Sequence, residues 1–318
     1  MQTLPHEKEI AQYEATLSEL RSKALDTELV SSTDLSKLEK KLTNLKRKVY
    51  ANLTPWERVQ IARHAQRPHS IDYIEALFDD FMELSGDRIA GDDGAIIAGF
   101  GLLDGERVAV VAQEKGFDIE SRTKRNFGYA NPEGFRKALR VMKLAEKLGI
   151  PVISLVDTPG AYAGLAAEEK GQGAVIANNL FEMARLKVPI IVLVIGEGAS
   201  GGALALGVGD VIAMLEHSYY SVISPEGCSS ILWKDVSKKA KASEMLKLQA
   251  ENLLELGLID EILPEPLGGA HHDPKIMFKS VKAFLLTHLI PLKKTKVNVL
   301  VEKRYEKFRK MGKFKVVG

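Results

Sequence analysis

Two stretches decide the fold: Pro151-Val152-Ile153-Ser154-Leu155-Val156-Asp157-Thr158-Pro159-Gly160 and Val188-Pro189-Ile190-Ile191-Val192-Leu193-Val194-Ile195-Gly196-Glu197-Gly198. Each is a nearly continuous apolar run that ends in glycine. A half-exposed strand would alternate apolar and polar, so unbroken runs of this length predict strands buried on both faces of a parallel sheet. Between them, Glu168–Arg185 reads as the crossover helix. Upstream, Ala95–Phe100 and Val108–Gln113 read as strands of a hairpin turned at Asp104-Gly105. Pro132–Leu148 sets Phe135, Leu139, Met142, Ala145 and Leu148 on one helical face, with Pro132 and Glu133 at its start. Downstream, the helix-sized Ser200–Val208 leads to Val211–Leu215 and Tyr219–Ile223. Lys238–Leu256 and Pro274–Leu289 read as closing helices. Strands alternating with helices predict an α/β layered fold.

The first fifty residues differ. Ile10, Tyr13, Leu17 and Leu20, then Leu35, Leu38, Leu42, Leu45 and Val49, recur every three or four positions, giving two helices with narrow apolar seams. Ser31-Ser32-Thr33-Asp34 between them offers capping side chains. An antiparallel hairpin is expected, and its seam is too narrow to be a core, so it must pack on the body or on another subunit. At the other end, residues 293–318 hold ten Lys/Arg against Glu302 and Glu306. With no nucleic-acid motif beside it, this tail reads as a solvated surface helix rather than a nucleic-acid patch.

Composition excludes several classes. A chain of 318 residues, 45% hydrophobic and 27% charged, buries enough surface to need no disulfide or metal for its core. The lone Cys228 rules out a disulfide framework and suits a reducing compartment. No apolar run has the length of a membrane span, and the N-terminus resembles neither a signal nor a transit peptide.

Eleven of the 26 glycines lie in residues 149–209, clustered directly after the two buried runs. Glycine there admits close backbone approach, and a helix beginning there aims free N–H groups at developing negative charge, which is how an oxyanion hole is built. Three readings compete. Asp157-Thr158-Pro159-Gly160 matches one GTPase element, but no phosphate loop accompanies it. Gly198-Ala199-Ser200-Gly201-Gly202 fits the G-x-S-x-G elbow of a serine hydrolase, which would draw on Asp210, Asp235 or Asp260 and on His271 or His272. The third is a site that works through backbone amides.

The third reading is where a resemblance enters. Arg67-Pro68 through Leu84-Ser85-Gly86-Asp87-Arg88, Arg125-Asn126-Phe127-Gly128 with Pro132-Glu133-Gly134-Phe135-Arg136-Lys137-Ala138, Asp157 to Tyr162, Gly196 to Gly209, Ser224-Pro225-Glu226-Gly227-Cys228 and Glu265 to His271 occur in fixed order. Together they resemble the alpha subunits of the bacterial and plastid acetyl-CoA carboxylase carboxyltransferase, over nearly the whole chain. Residues 1–60 carry less of the likeness, and those after Pro291 almost none.

The resemblance implies a ClpP/crotonase-like spiral of strand–strand–helix turns in residues 55–290, with a helical arm over 1–54 and a basic tail over 291–318. It implies carboxyl transfer from carboxybiotin, held on a separate biotin carboxyl carrier protein, to acetyl-CoA, giving malonyl-CoA in fatty acid biosynthesis. Gly201 and Gly202 would present their N–H groups to the biotin oxygen, with Gly160 and Ala161 lining the same cleft. Implied partners are a beta subunit in an alpha2beta2 assembly, the carrier protein and a biotin carboxylase that uses the ATP. The implied location is the cytoplasm or plastid stroma, with zinc in the beta subunit and no metal in this chain.

Lys115, Arg122, Lys124 and Arg125 form a basic stretch suited to CoA phosphates, to a partner or simply to solvent. His271 and His272 read as loop residues, because no cysteine or carboxylate cluster stands near them at metal spacing. Cys228 reads as a packed small side chain, and Glu226 as a helix-start carboxylate. The rivals to carboxyl transfer are the hydrolase on Ser200 and a non-catalytic scaffold.

Overall fold

The computed structural model describes residues 3–26 and 32–312. Ser31, the side chains of Ser32 and Thr33 and residues 313–318 lie outside it, so the proposed capping stretch and the last two lysines are not placed. A 3-10 turn at Pro5–Glu7 leads into α1 (Lys8–Asp26), which runs antiparallel to α2 (Ser32–Ala51). Arg21 meets Glu39 at 2.6 Å and Lys46 meets Glu14 at 2.5 Å, fixing the direction. The hairpin packs on the body at its root, where Leu4, Ile10, Tyr50 and Leu53 enclose Ile61. Farther out the α2 seam stays half-buried. Thr54 then opens α3 (Pro55–Ala62) with a capping box to Glu57.

Next come α4 (Ser70–Leu77), β1 (Asp79–Glu83), β2 (Ile96–Leu103), β3 (Glu106–Gln113), α5 (Ile119–Lys124), α6 (Pro132–Leu148) and β4 (Val152–Thr158). The β2–β3 turn has Asp104 at φ +53° and Gly105 at φ +81°, the paired left-handed residues that a two-residue hairpin with right-handed twist demands. There follow α7 (Leu165–Glu169), α8 (Gln172–Arg185), β5 (Ile190–Ala199), α9 (Ser200–Leu204), β6 (Val211–Leu215), β7 (Tyr219–Ser221), α10 (Pro225–Trp233), α11 (Lys239–Leu246), α12 (Ala250–Glu255), β8 (Glu261–Leu263), α13 (Pro274–Lys293) and α14 (Val297–Arg309).

The sheet runs β1-β2-β3-β4-β5-β6-β8, antiparallel through β3 and parallel beyond it, with β7 on the far end of β5. In register, Val192 of β5 sits between Ser154 and Ile212. Successive residues of β5 face opposite layers. Val192 and Val194 pack with Phe135, Met142 and Met183 on the α6 and α8 side. Ile191, Leu193 and Ile195 pack with Tyr73, Met277 and Leu285 on the α4 and α13 side. Both faces are buried, which is why the run is apolar at every position. Among the described residues no helix is long and apolar enough to cross a membrane.

Three sequence readings need correction. The crossover helix is broken at Gly171 (φ +79°) into α7 and α8. The expected helix over Lys238–Leu256 is a 3-10 turn followed by α11 and α12. It is interrupted because Tyr220 N–H donates to Leu248 O at 3.1 Å and Tyr219 bridges Gln249, pulling that backbone into the sheet edge. The basic tail is not a solvated surface helix. Arg304 of α14 is 1% exposed. It pairs with Asp210 at 2.7 Å and donates to the carbonyls of Met183, Leu186 and Val188 at 2.7–2.9 Å. Leu300 is buried beside it, and Phe308 packs on the core.

Candidate functional site

Beyond the carboxyl ends of β3, β4 and β5 lies a cleft of about 570 Å³, the end of an α/β sheet where ligands bind. Lys115 follows β3, while Asp157 and Glu197 lie near the ends of β4 and β5. Lys115 Nζ stands 2.8 Å from Asp157 and 3.1 Å from Glu197. Arg63, just past α3, donates to Glu197 at 2.7 Å and to Glu226 at 2.6 Å, and Tyr219 OH donates to Glu197 at 2.8 Å. Burial by itself would raise the Glu197 carboxyl, but Lys115 and Arg63 override it and hold it at about 2. Against the same burial, Asp157 and Glu197 raise the Lys115 ammonium.

Deeper, Arg67 grips both oxygens of Glu265 at 2.8 and 2.6 Å and donates Nε to Ile195 O at 2.8 Å. Burial opposes that carboxylate too, yet Arg67 keeps it at about 2. The bidentate pair ties the segment after α3 to β5 and to the loop after β8.

The two glycine turns meet. A β-carbon on Gly202 would lie 2.5 Å from Gly160 C and 2.6 Å from Ala161 N. Gln113 Nε2 donates to Gly202 O at 2.6 Å, fixing the start of α9. Gly160 N–H is taken up by Thr158 Oγ1 at 3.1 Å, so it is already engaged within its own turn. Gly201 and Gly202 lie in the first turn of α9, whose N–H groups have no intrahelical acceptor. On one side of the contact Pro159 lines the polar cleft. On the other, Gly201 lines an apolar groove of about 460 Å³ with Leu204, Tyr220, Val222, Phe308 and Met311. Two residues of the tail thus share a wall with Gly201.

Ser200 is exposed at φ +56° between β5 and α9, the backbone of a nucleophile elbow. Among the described residues its groove is lined by no histidine and no carboxylate, and Lys247 is the cation on its wall. Asp210 is held by Arg304, Asp260 by Lys307 and the Ile212 N–H, and Asp235 by Ser237. The histidine and aspartate partners that the hydrolase reading needs are not brought to Ser200.

The basic stretch divides. Lys115 is consumed by two carboxylates, Arg125 donates to Gly94 O at 2.8 Å, and Lys124 points to solvent. Arg122 alone of the four extends into the cleft without a carboxylate partner among the described residues, its guanidinium 5.4 Å from the Phe127 ring centroid. Cys228 is buried in α10. Glu226, at the start of that helix, also lines the cleft. Sequence reasoning missed Arg63, Tyr219 and Glu197. Only Glu197 left a signal, as a charged residue inside a buried glycine-rich strand end.

Residues 3–312 match the family model described as acetyl co-enzyme A carboxylase carboxyltransferase-like. The acetyl-coenzyme A carboxylase carboxyl transferase subunit alpha of Chlamydia caviae is 56% identical over 312 residues, covering 98% of this chain and 96% of that protein. Its counterpart in Chlamydia trachomatis serovar L2 is 55% identical over the same shares. Among solved structures, transcarboxylase 12S superposes with a TM-score of 0.57 at 19% identity, over 74% of this chain and 45% of that one. The beta subunit of geranyl-CoA carboxylase from P. aeruginosa gives 0.55 at 16% identity, over 83% and 48%. Those likenesses establish a crotonase-like carboxyltransferase fold. The identities over nearly the full length go further: the chain belongs to the family of acetyl-CoA carboxylase carboxyltransferase alpha subunits.

Proposed function

We propose that this chain carries the biotin side of the carboxyl transfer through the backbone amides of Gly201 and Gly202. The substrate would be carboxybiotin on a separate carrier protein, the acceptor acetyl-CoA and the product malonyl-CoA. The observation that supports this most is the contact of Gly202 with the Gly160-Ala161 turn, because it sets the open first turn of α9 between a charged cleft and an apolar groove. As carboxylate leaves N1 of biotin, negative charge grows on the ureido oxygen. Two N–H donors in a site shielded by Leu204, Tyr220 and Phe308 stabilise that charge, each worth about 3–4 kcal/mol. The departing biotin is itself basic enough to take a proton from the acetyl methyl, so the chain supplies no general base. Gly160 and Ala161 act by shaping the turn that seats α9.

A beta subunit completes the site, in an alpha2beta2 assembly served by a biotin carboxylase that uses ATP. The groove supports this, for Leu204, Val222 and Leu256 on its rim are 41–78% exposed, an apolar margin typical of a surface that is covered in the assembly. A cytoplasmic or stromal location follows from the same reading. The division of the chain into arm (1–54), catalytic body (55–290) and tail (291–318) belongs to this proposal, with α14 serving as part of the groove. The test is malonyl-CoA-dependent carboxylation of biocytin. The chain co-purified with its beta subunit should turn over and the isolated chain should not; turnover by the chain alone would refute the divided site.

A further inference from the structure

The loop between β8 and α13 folds two imidazoles back over its own glycines. Gly268 and Gly269 stand at φ +103° and +116°. A β-carbon on the first would collide with the His272 ring, and one on the second would meet the His271 ring at 3.1 Å. Facing these rings is Glu7, buried at the root of the arm. Its Oε2 accepts the Leu4 N–H at 2.9 Å, and its Oε1 accepts Tyr50 OH at 2.7 Å. One donor atom each from Glu7, His271 and His272 lie within 4.8 Å of one another. A cavity of about 60 Å³ lies among them, room for an ion and a water or two. His271 stacks on His64 with 4.0 Å between ring centroids, which steadies it, and its Nδ1 is buried without a hydrogen-bond partner among the described residues.

We propose that Glu7, His271 and His272 bind a divalent transition-metal ion of the zinc class and so clamp the N-terminal arm to the body. Two imidazoles and one carboxylate are a donor set that zinc accepts, with water in the fourth position. Imidazole donors select such ions over magnesium or calcium. Each Glu7 oxygen keeps a second lone pair after accepting its present bond. Zinc bonds of ~2.0–2.1 Å need donor atoms ~3.3 Å apart, and His272, exposed at the cavity mouth, can rotate to close that gap. The sequence reading set these histidines aside because no cysteine or carboxylate cluster stands near them at metal spacing, and the adjacent Asp273 caps α13 instead. Folding supplies Glu7 from the opposite end. The clamp joins the arm to the loop whose Glu265 anchors Arg67, so it would stiffen the frame behind the cleft without touching substrate.

The experiment titrates the full chain, first stripped with chelator, with zinc by calorimetry and with cobalt(II) by visible absorption. One saturable equivalent is expected, with cobalt bands of four- or five-coordinate geometry and slower limited proteolysis of the arm when zinc is present. Glu7→Gln and His272→Gln should each weaken binding at least about tenfold with unchanged circular dichroism. His288→Gln, beside Glu261 on α13, should leave binding unaltered. No saturable binding, or wild-type affinity in the folded His271→Asn/His272→Gln double variant, would overturn the site.

Discussion

Gly202 and Gly160 touch backbone to backbone, leaving 2.5 Å where a β-carbon on Gly202 would stand. Gly201 is different, for a β-carbon there would meet only Ile176, at 3.4 Å. Gly202→Ala should therefore push α9 off the turn and lower biocytin carboxylation by roughly 100-fold, the scale of losing one aligned amide donor. Gly201→Ala should lose less than about tenfold. The bulkier Gly201→Val should lose more, since its methyls reach into the groove. Ser200→Ala should keep most activity, because the proposed donors are backbone amides and no histidine or carboxylate among the described residues lines its groove. Equal losses in Gly202→Ala and Gly201→Ala would count against the geometry.

Removal of Arg304 should show that α14 is part of the body. Its guanidinium answers Asp210 and three carbonyls in a fully enclosed place. Arg304→Ala would strand a buried carboxylate, and about 3–5 kcal/mol of unfolding free energy should go with it. Urea denaturation of the full chain measures this. Deleting residues 293–318 should likewise lower carboxylation more than tenfold, because Phe308 and Met311 leave the groove with the tail. That reverses the expectation, drawn from the sequence, of a peripheral tail.

Acid should weaken the fold in a defined window. Glu197 and Glu265 are held at about 2 in the folded chain, against 4.5 for an ordinary glutamate. Below 4.5 the unfolded chain takes up protons that the folded chain refuses, so the stability they lend is complete above about 4.5 and is lost as pH falls toward 2. Unfolding free energies measured from about pH 6 to about pH 3 should fall on the acid side, and Glu197→Gln should flatten that fall. An unchanged slope in the variant would contradict the assignment.

Lys115 and Arg122, counted together as one basic stretch in the sequence, should behave differently. Lys115→Met leaves Asp157 and Glu197 facing each other without their shared cation. The variant should be destabilised and its kcat reduced. Among the described residues, Arg122→Ala disturbs its ring contact with Phe127 and breaks no ion pair. It should raise KM for malonyl-CoA several-fold with little change in kcat or melting temperature. Steady-state kinetics beside thermal unfolding separates the two.

The layered sheet was legible because its cause is local. Runs that are apolar at every position of Ile190–Ile195 and at all but Ser154 of Val152–Val156 admit no half-exposed strand, and the structure buries all of them on two faces. The arm was legible from its seam, and the α6 helix from Pro132 and its apolar face. The break at Lys247 was not, because a helix yields there to a tertiary demand, Leu248 giving its carbonyl to Tyr220.

The sequence by itself determined the fold class, the family and the place of the two glycine turns, since periodicity, turn chemistry and long ordered strings are properties of neighbouring residues. Which charges meet was decided only by tertiary structure. Arg63 reaches Glu197, Arg67 reaches Glu265, Arg304 reaches Asp210, and Glu7 faces His271, each pair far apart along the chain. A charge carries no periodic mark of its partner. Its pairing is selected by the cost of burying it alone, and that cost arises only once the layers have closed around it.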